Sequence, residues 1–131
     1  MTESTSHEPT DNPQDKWEIQ LRKGTLELVM LAALQQRQLY GLELLKLLQG
    51  FKSAAITEGT LYPLLDRLKR EGLVDAQWVQ EGETRPRKYY RLTRQGEQKL
   101  TDLTQLWRQS VADIEFLLRH PGPAALPRQG D

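Results

Sequence analysis

Thr57-Glu58-Gly59-Thr60-Leu61-Tyr62-Pro63-Leu64-Leu65-Asp66-Arg67-Leu68 carries two patterns that pull against each other. Leu61, Leu64, Leu65 and Leu68 fall at the three- and four-residue steps of one helix face, and Thr57 brings the hydroxyl of a helix cap. Gly59 and Pro63, by contrast, disfavour a helix interior by about 1 and 3 kcal/mol relative to Ala. They stand four residues apart, so the carbonyl crowded by the Pro ring belongs to the most adaptable residue. A helix anchored by its apolar face and weakened at its start is expected to use that start for a surface contact.

The surroundings give this helix (58–71) its neighbours. A first helix is expected over residues 24–36, with Leu26, Val29, Met30, Ala33 and Leu34 on one face; Trp17, Ile19 and Leu21 lie ahead of it and are able to extend it. A second, over 41–49, clusters Leu44, Leu45 and Leu48, and Gly50 ends it. Gly72 sits where a left-handed cap closes the third. The pattern then alternates: 73–80 and 87–92 read as two strands joined by the turn-forming residues 81–86. Thr93 caps a last helix over 94–119. Residues 1–15 are polar and acidic and are expected to be disordered, and the Pro- and Gly-rich stretch 120–131, which cannot continue a helix, is expected to be a flexible tail.

Composition narrows the chemistry. The 131 residues suit one domain of ordinary size, and no apolar run reaches membrane-spanning length. Neither a membrane helix nor a secretory signal is expected, and a cytoplasmic location fits. With no Cys, disulfides, thiolate catalysis and the usual zinc sites are excluded. His7 and His120 both lie in terminal segments, so no metal and no cofactor is expected. There is no nucleophile–base pair, phosphate loop or carboxylate cluster, so the chain does not read as an enzyme. Net charge is zero, but 4 of the 18 acids fall in residues 1–15, which hold no Lys or Arg. Beyond them, 18 basic against 14 acidic side chains leave a charge of +4, and Arg85, Arg87, Lys88, Arg91 and Arg94 share the stretch 84–96 without one acid. Such a run is often a solvated face and needs structural context to mean more.

Three short helices followed by a hairpin is the order of a winged helix-turn-helix, a mainly α fold with a small β-hairpin. Residues 16–93 form that domain, with 58–71 as recognition helix and 81–88 as wing. With Leu61 facing inward, Gly59, Pro63 and Arg70 lie almost opposite, flanked by Tyr62, Asp66 and Arg67. Gly59 admits a close backbone approach, and Thr57 and Thr60 set hydroxyls at a helix N-terminus where phosphate oxygens accept. Tyr62 and Arg67 are within reach of phosphates or base edges. Packing of Tyr62 and Pro63 on the second helix is the plainer alternative, and Glu58 has the wrong sign for a phosphate surface.

Several stretches in register resemble the PadR family of transcription regulators: Leu21-Arg22-Lys23-Gly24-Thr25-Leu26-Glu27-Leu28, Leu39-Tyr40-Gly41, Glu58-Gly59-Thr60-Leu61-Tyr62-Pro63, Leu68-Lys69-Arg70-Glu71-Gly72-Leu73 and Arg87-Lys88-Tyr89-Tyr90-Arg91-Leu92-Thr93. The likeness spans about residues 20–118, and the single last helix is similar to the short subgroup. It implies a homodimer, built largely through helix 94–119, that binds double-stranded DNA at a palindromic operator and usually represses transcription. Thr57, Gly59, Thr60, Tyr62 and Pro63 then face the groove, Lys23 and Tyr40 are phosphate contacts, and Arg87, Lys88 and Tyr89 belong to the wing. Thr57 stands where the family often has Ser, and Thr84 and Pro86 interrupt a wing that is commonly richer in Gly and Arg.

The last helix has its own signal. Leu100, Leu103, Trp107, Ile114 and Leu117 follow a four–three spacing, widened by Val111 and Leu118. At about 1.5 Å per residue it spans nearly 40 Å, more than so small a domain covers, so the stripe is expected at a dimer interface. Trp107, paired across a two-fold axis, would offer a flat slot for a small aromatic effector; the plainer reading is a Trp filling the dimer core. A winged-helix protein-interaction module without its own DNA binding is the competing function, favoured by Glu58 and the neutral net charge.

Overall fold

The computed structural model describes residues 13–123. In chain order these form α1 (Pro13–Ala33), β1 (Leu39–Tyr40), α2 (Gly41–Gln49), a 3-10 turn (Lys52–Ala54), α3 (Glu58–Arg70), β2 (Val74–Val79), β3 (Arg87–Leu92) and α4 (Arg94–Arg119). Two compact units divide the chain, one reaching Leu100 and the other starting at Thr101. Of the tail expected over 1–15, residues 1–12 lie outside the described residues, while Pro13 to Asp15 already belong to α1. Pro in a first helical turn forfeits no hydrogen bond, which is why α1 can start there. Of the tail expected over 120–131, residues 124–131 likewise lie outside.

α1 stops three residues short of the expected end. Gln36 takes a left-handed φ of 60°, and the Arg37 Nε donates to the Ala33 carbonyl at 2.8 Å, so a side chain replaces the next helical turn. At α2 the Tyr40 backbone N–H donates to Glu43 Oε1 at 3.1 Å, one half of a capping box with Tyr at the cap position. The Gln49 amide donates to the Ile56 carbonyl at 3.2 Å and fastens the connection that delivers α3.

The first unit's core is the meeting of three helix stripes. Met30 and Leu31 come from α1, Leu34 from the turn that follows it, Leu44 and Leu48 from α2, Leu61, Leu65 and Leu68 from α3, and Val74 and Tyr90 close it from the sheet. Leu31 belongs to this core although the expected face of the first helix omitted it. Each such Leu contributes about 1.5–3 kcal/mol by leaving water. That outweighs the combined local cost of Gly59 and Pro63 in α3.

The sheet has three antiparallel strands in the order β1-β3-β2, one more than the expected hairpin. β2 and β3 pair from Val74↔Leu92 to Val79↔Arg87, and β1 adds Leu39↔Tyr90 and Tyr40↔Tyr89. Alternation puts Trp78, Lys88, Tyr90 and Leu92 on one face and Arg87, Tyr89, Arg91 and Tyr40 on the other.

One polar knot ties the end of α3 to the sheet and to α4. Gly72, at φ 78°, lets Leu73 N–H bond the Leu68 carbonyl at 2.9 Å as α3 ends. The Thr93 hydroxyl donates to the Gly72 carbonyl at 2.6 Å and accepts the Gly96 N–H at 3.0 Å, so Thr93 caps α4 as its sequence position implies. α4 contributes Gly96 and Leu100 to the first unit's burial. Leu100, expected at a dimer interface, is only 8% exposed and packs within its own chain. From Thr101 onward the second unit presents Leu106, Trp107, Val111, Ile114, Leu117 and Leu118 to solvent at 39–70% exposure.

Candidate nucleic-acid interface

α3 shows why its opening residues differ from its stripe. Leu61, Leu64, Leu65 and Leu68 are 0–8% exposed, whereas Thr57, Glu58, Gly59, Thr60, Pro63 and Asp66 all face solvent. Thr57 occupies the cap position, with φ −95° and ψ 167°, but its hydroxyl makes no capping bond. It faces the Thr60 hydroxyl at 3.5 Å instead, so the expectation of a side-chain cap fails. The consequence is a helix N-terminus whose first two N–H groups and the Thr60 hydroxyl proton stay open to a solvent-side acceptor. Glu58, in the first turn, has the favourable sign for the helix dipole, which supplies about 0.3–1 kcal/mol and accounts for an acid at this position.

The glycines separate what the fold needs from what it does not. A methyl group at Gly41 would sit 2.7 and 2.8 Å from Tyr62 Cε1 and Cζ, so the ring of Tyr62 occupies the place of a missing side chain. At Gly59 the nearest neighbour of such a methyl is Thr57 Oγ1 at 3.7 Å, an ordinary contact, and its φ is not left-handed. The fold would accept a larger residue at 59.

Tyr62 thus has two surroundings. Its ring is seated on Gly41 at the start of α2, as the plainer reading of the sequence has it, yet it remains 36% exposed at the edge of the presented face. Arg67 departs further from expectation. One guanidinium nitrogen bonds Glu27 on α1 at 3.1 Å and another bonds Glu71 at 3.1 Å, and the Glu27 bond first, then Glu71, raises its pKa. It braces α3 against α1 and is not a free cation for DNA.

The wing's cations are likewise sorted by partner. Arg87 lies over the Tyr40 ring at 4.5 Å from its centroid, and Tyr89 meets the same ring edge-on at 5.5 Å. Tyr40, expected at a phosphate, is half-buried against these two wing residues. Lys88 extends over Tyr90 at 5.8 Å, on the opposite sheet face. Arg91 pairs with Asp75 across the strands at 3.4 Å. At the tip, the Thr84 hydroxyl donates to the Glu81 carbonyl at 2.6 Å and closes the turn. Lys23 is exposed on α1.

Two residues escaped the sequence reading. Gly41 was read only as part of a motif, because its contact with Tyr62 is made across the chain. Trp78 is 68% exposed directly opposite Lys88, and an indole left in water on a strand beside a cation is the signal that points to it.

Comparison with known proteins agrees with this architecture. Residues 30–102 match the transcriptional regulator PadR-like family. A PadR family transcriptional regulator from Eggerthella lenta is 33% identical, with 86% of this chain and 97% of that one covered and a TM-score of 0.74. A PadR-like transcriptional regulator from Bacillus cereus is 31% identical over 78% of this chain and 99% of that one, with a TM-score of 0.71. A three-stranded winged helix-turn-helix, an α3 with an open N-terminus and a family match spanning both are one consistent result: the chain belongs to the PadR-like family of DNA-binding transcriptional regulators.

Proposed function

We propose that this chain is a homodimeric, sequence-specific repressor that binds a palindromic operator, with α3 in the major groove and the wing on the flanking backbone or minor groove. Gly59 carries the reading: an exposed helical glycine that the fold does not require fits a surface pressed against a duplex. Thr57, Gly59, Thr60, Pro63 and the exposed edge of Tyr62 form the groove-facing group, and Lys23, Arg87, Lys88 and Tyr89 meet the sugar-phosphate backbone. A cytoplasmic location follows from this role.

Dimerisation is supported by the uncovered apolar positions of α4, Leu106, Trp107, Val111, Ile114, Leu117 and Leu118. Two copies would read half-sites about one helical turn apart. Trp107, half-exposed, is the residue to watch for a planar aromatic effector, and quenching of its fluorescence by such a ligand would report it.

Footprinting on DNA upstream of the protein's own gene tests the reading. The expected result is two protected half-sites, affinity falling steeply with salt, and a slope lowered by about one when Lys88 becomes Ala. Absence of any retardation at low salt would instead favour an interaction module, the function that Glu58 and zero net charge also permit.

A further inference from the structure

We propose that Tyr40-Gly41 is a positioning joint that holds the recognition helix and the wing at one fixed spacing. The two residues look in different directions from one point of the chain. The Tyr40 ring takes Arg87 on its face at 4.5 Å and forms a T-shaped pair with Tyr89 at 5.5 Å, so it holds the base of the wing. Gly41, next in sequence, takes the phenol of Tyr62 from α3, where any Cβ would collide with the ring. The step itself is fixed at both ends: β1 pairs Leu39 with Tyr90 and Tyr40 with Tyr89, and Glu43 holds the Tyr40 N–H as α2 begins. This step therefore couples a displacement of one surface to the other.

The inference rests on the DNA-binding reading and adds a division of roles to it. Tyr40 acts on DNA through Arg87, whose guanidinium it holds on its ring face. Gly41 acts through Tyr62. A joint of this kind matters most for specific binding, in which groove and backbone contacts must be met together, and least for non-specific binding, which is set by charge.

The test uses the full chain, the tightest duplex that it selects from a random-sequence library, and unselected duplex as the non-specific probe. Gly41→Ala and Tyr40→Leu should each weaken binding to the selected duplex about tenfold, while low-salt binding to unselected DNA changes less than about threefold. Tyr40→Leu combined with Arg87→Ala should bind no more weakly than Arg87→Ala alone, within about twofold. In thermal unfolding, the loss caused by Gly41→Ala should vanish in a Tyr62→Ala background. Additive losses for Tyr40 and Arg87, equal weakening on both probes, or a Gly41→Ala effect that ignores residue 62 would each overturn the joint. A library that yields no preferred duplex would overturn the specific-binding reading, and the unfolding cycle would still decide the joint.

Discussion

α3 and the later part of α4 carry the same kind of leucine-rich stripe and meet opposite fates. In α3 the stripe leucines are 0–8% exposed, sealed by α1, α2 and the sheet; in α4 Trp107, Val111, Ile114, Leu117 and Leu118 stand at 39–70%. Periodicity records that a face is apolar, not what covers it. Where covering elements lie close in the same chain, the stripe becomes core and frees the opposite face for presentation. Where none does, the stripe is itself the surface on offer. Leu100 marks the change, since it continues the α4 spacing but is buried in its own chain.

Substitutions on the two stripes should therefore fail in different ways. Leu65→Ala should cost about 2–5 kcal/mol of unfolding free energy, because it empties a fully buried site, and denaturant titration would measure it. Val111→Glu with Ile114→Glu should leave folding of the first unit nearly unchanged yet give monomers by analytical ultracentrifugation, with much weaker operator binding. A dimer mass that persists would remove α4 from the interface. Pro63→Ala breaks the comparison from within α3. Restoring the N–H that Gly59's carbonyl lacks should raise stability by about 1–3 kcal/mol while weakening operator binding. A variant that gains or loses both together would mean that Pro63 serves the fold alone.

Much of this architecture was legible in the sequence, for local reasons. α2, α3, β2, β3 and α4 appear where caps, stripes and alternation put them, because Gly72 and Thr93 declare their conformations within a few residues. The sequence left room for α1 to extend back through Trp17, Ile19 and Leu21, but its start at Pro13 was not legible. Trp17, Ile19 and Leu21 alternate as a strand would, and their exposure means that no core enforces a helical spacing there. β1 escaped because two residues are too few for a pattern. The site divided along the same line. The presented group of α3 follows from helix geometry alone, but Arg67 pairs with Glu27 forty residues away and Tyr62 seats on Gly41. Such contacts are decided by tertiary packing, and no local signal announces them.

The smallest expected effect tests how completely the covered side of the comparison is sealed. Tyr90 lies 4% exposed on the sheet face that α3 covers, and its phenol pKa is raised above the ordinary value near 10 by burial first, then by Asp66 and Tyr62 of α3. Between the unfolded and folded pKa values the native state holds the proton and the unfolded chain has released it. Stability must then fall as pH rises from about 10, with the contribution gone once the pH passes the folded value. Replacing Tyr90 with Phe removes this one titration while leaving every other Tyr and Lys in place, so the difference between the two pH profiles isolates it. Wild type should lose stability more steeply than Tyr90→Phe in this alkaline window and match its slope at neutral pH. Parallel profiles would mean that water reaches the phenol and that α3 closes its covered face less tightly than its leucines indicate.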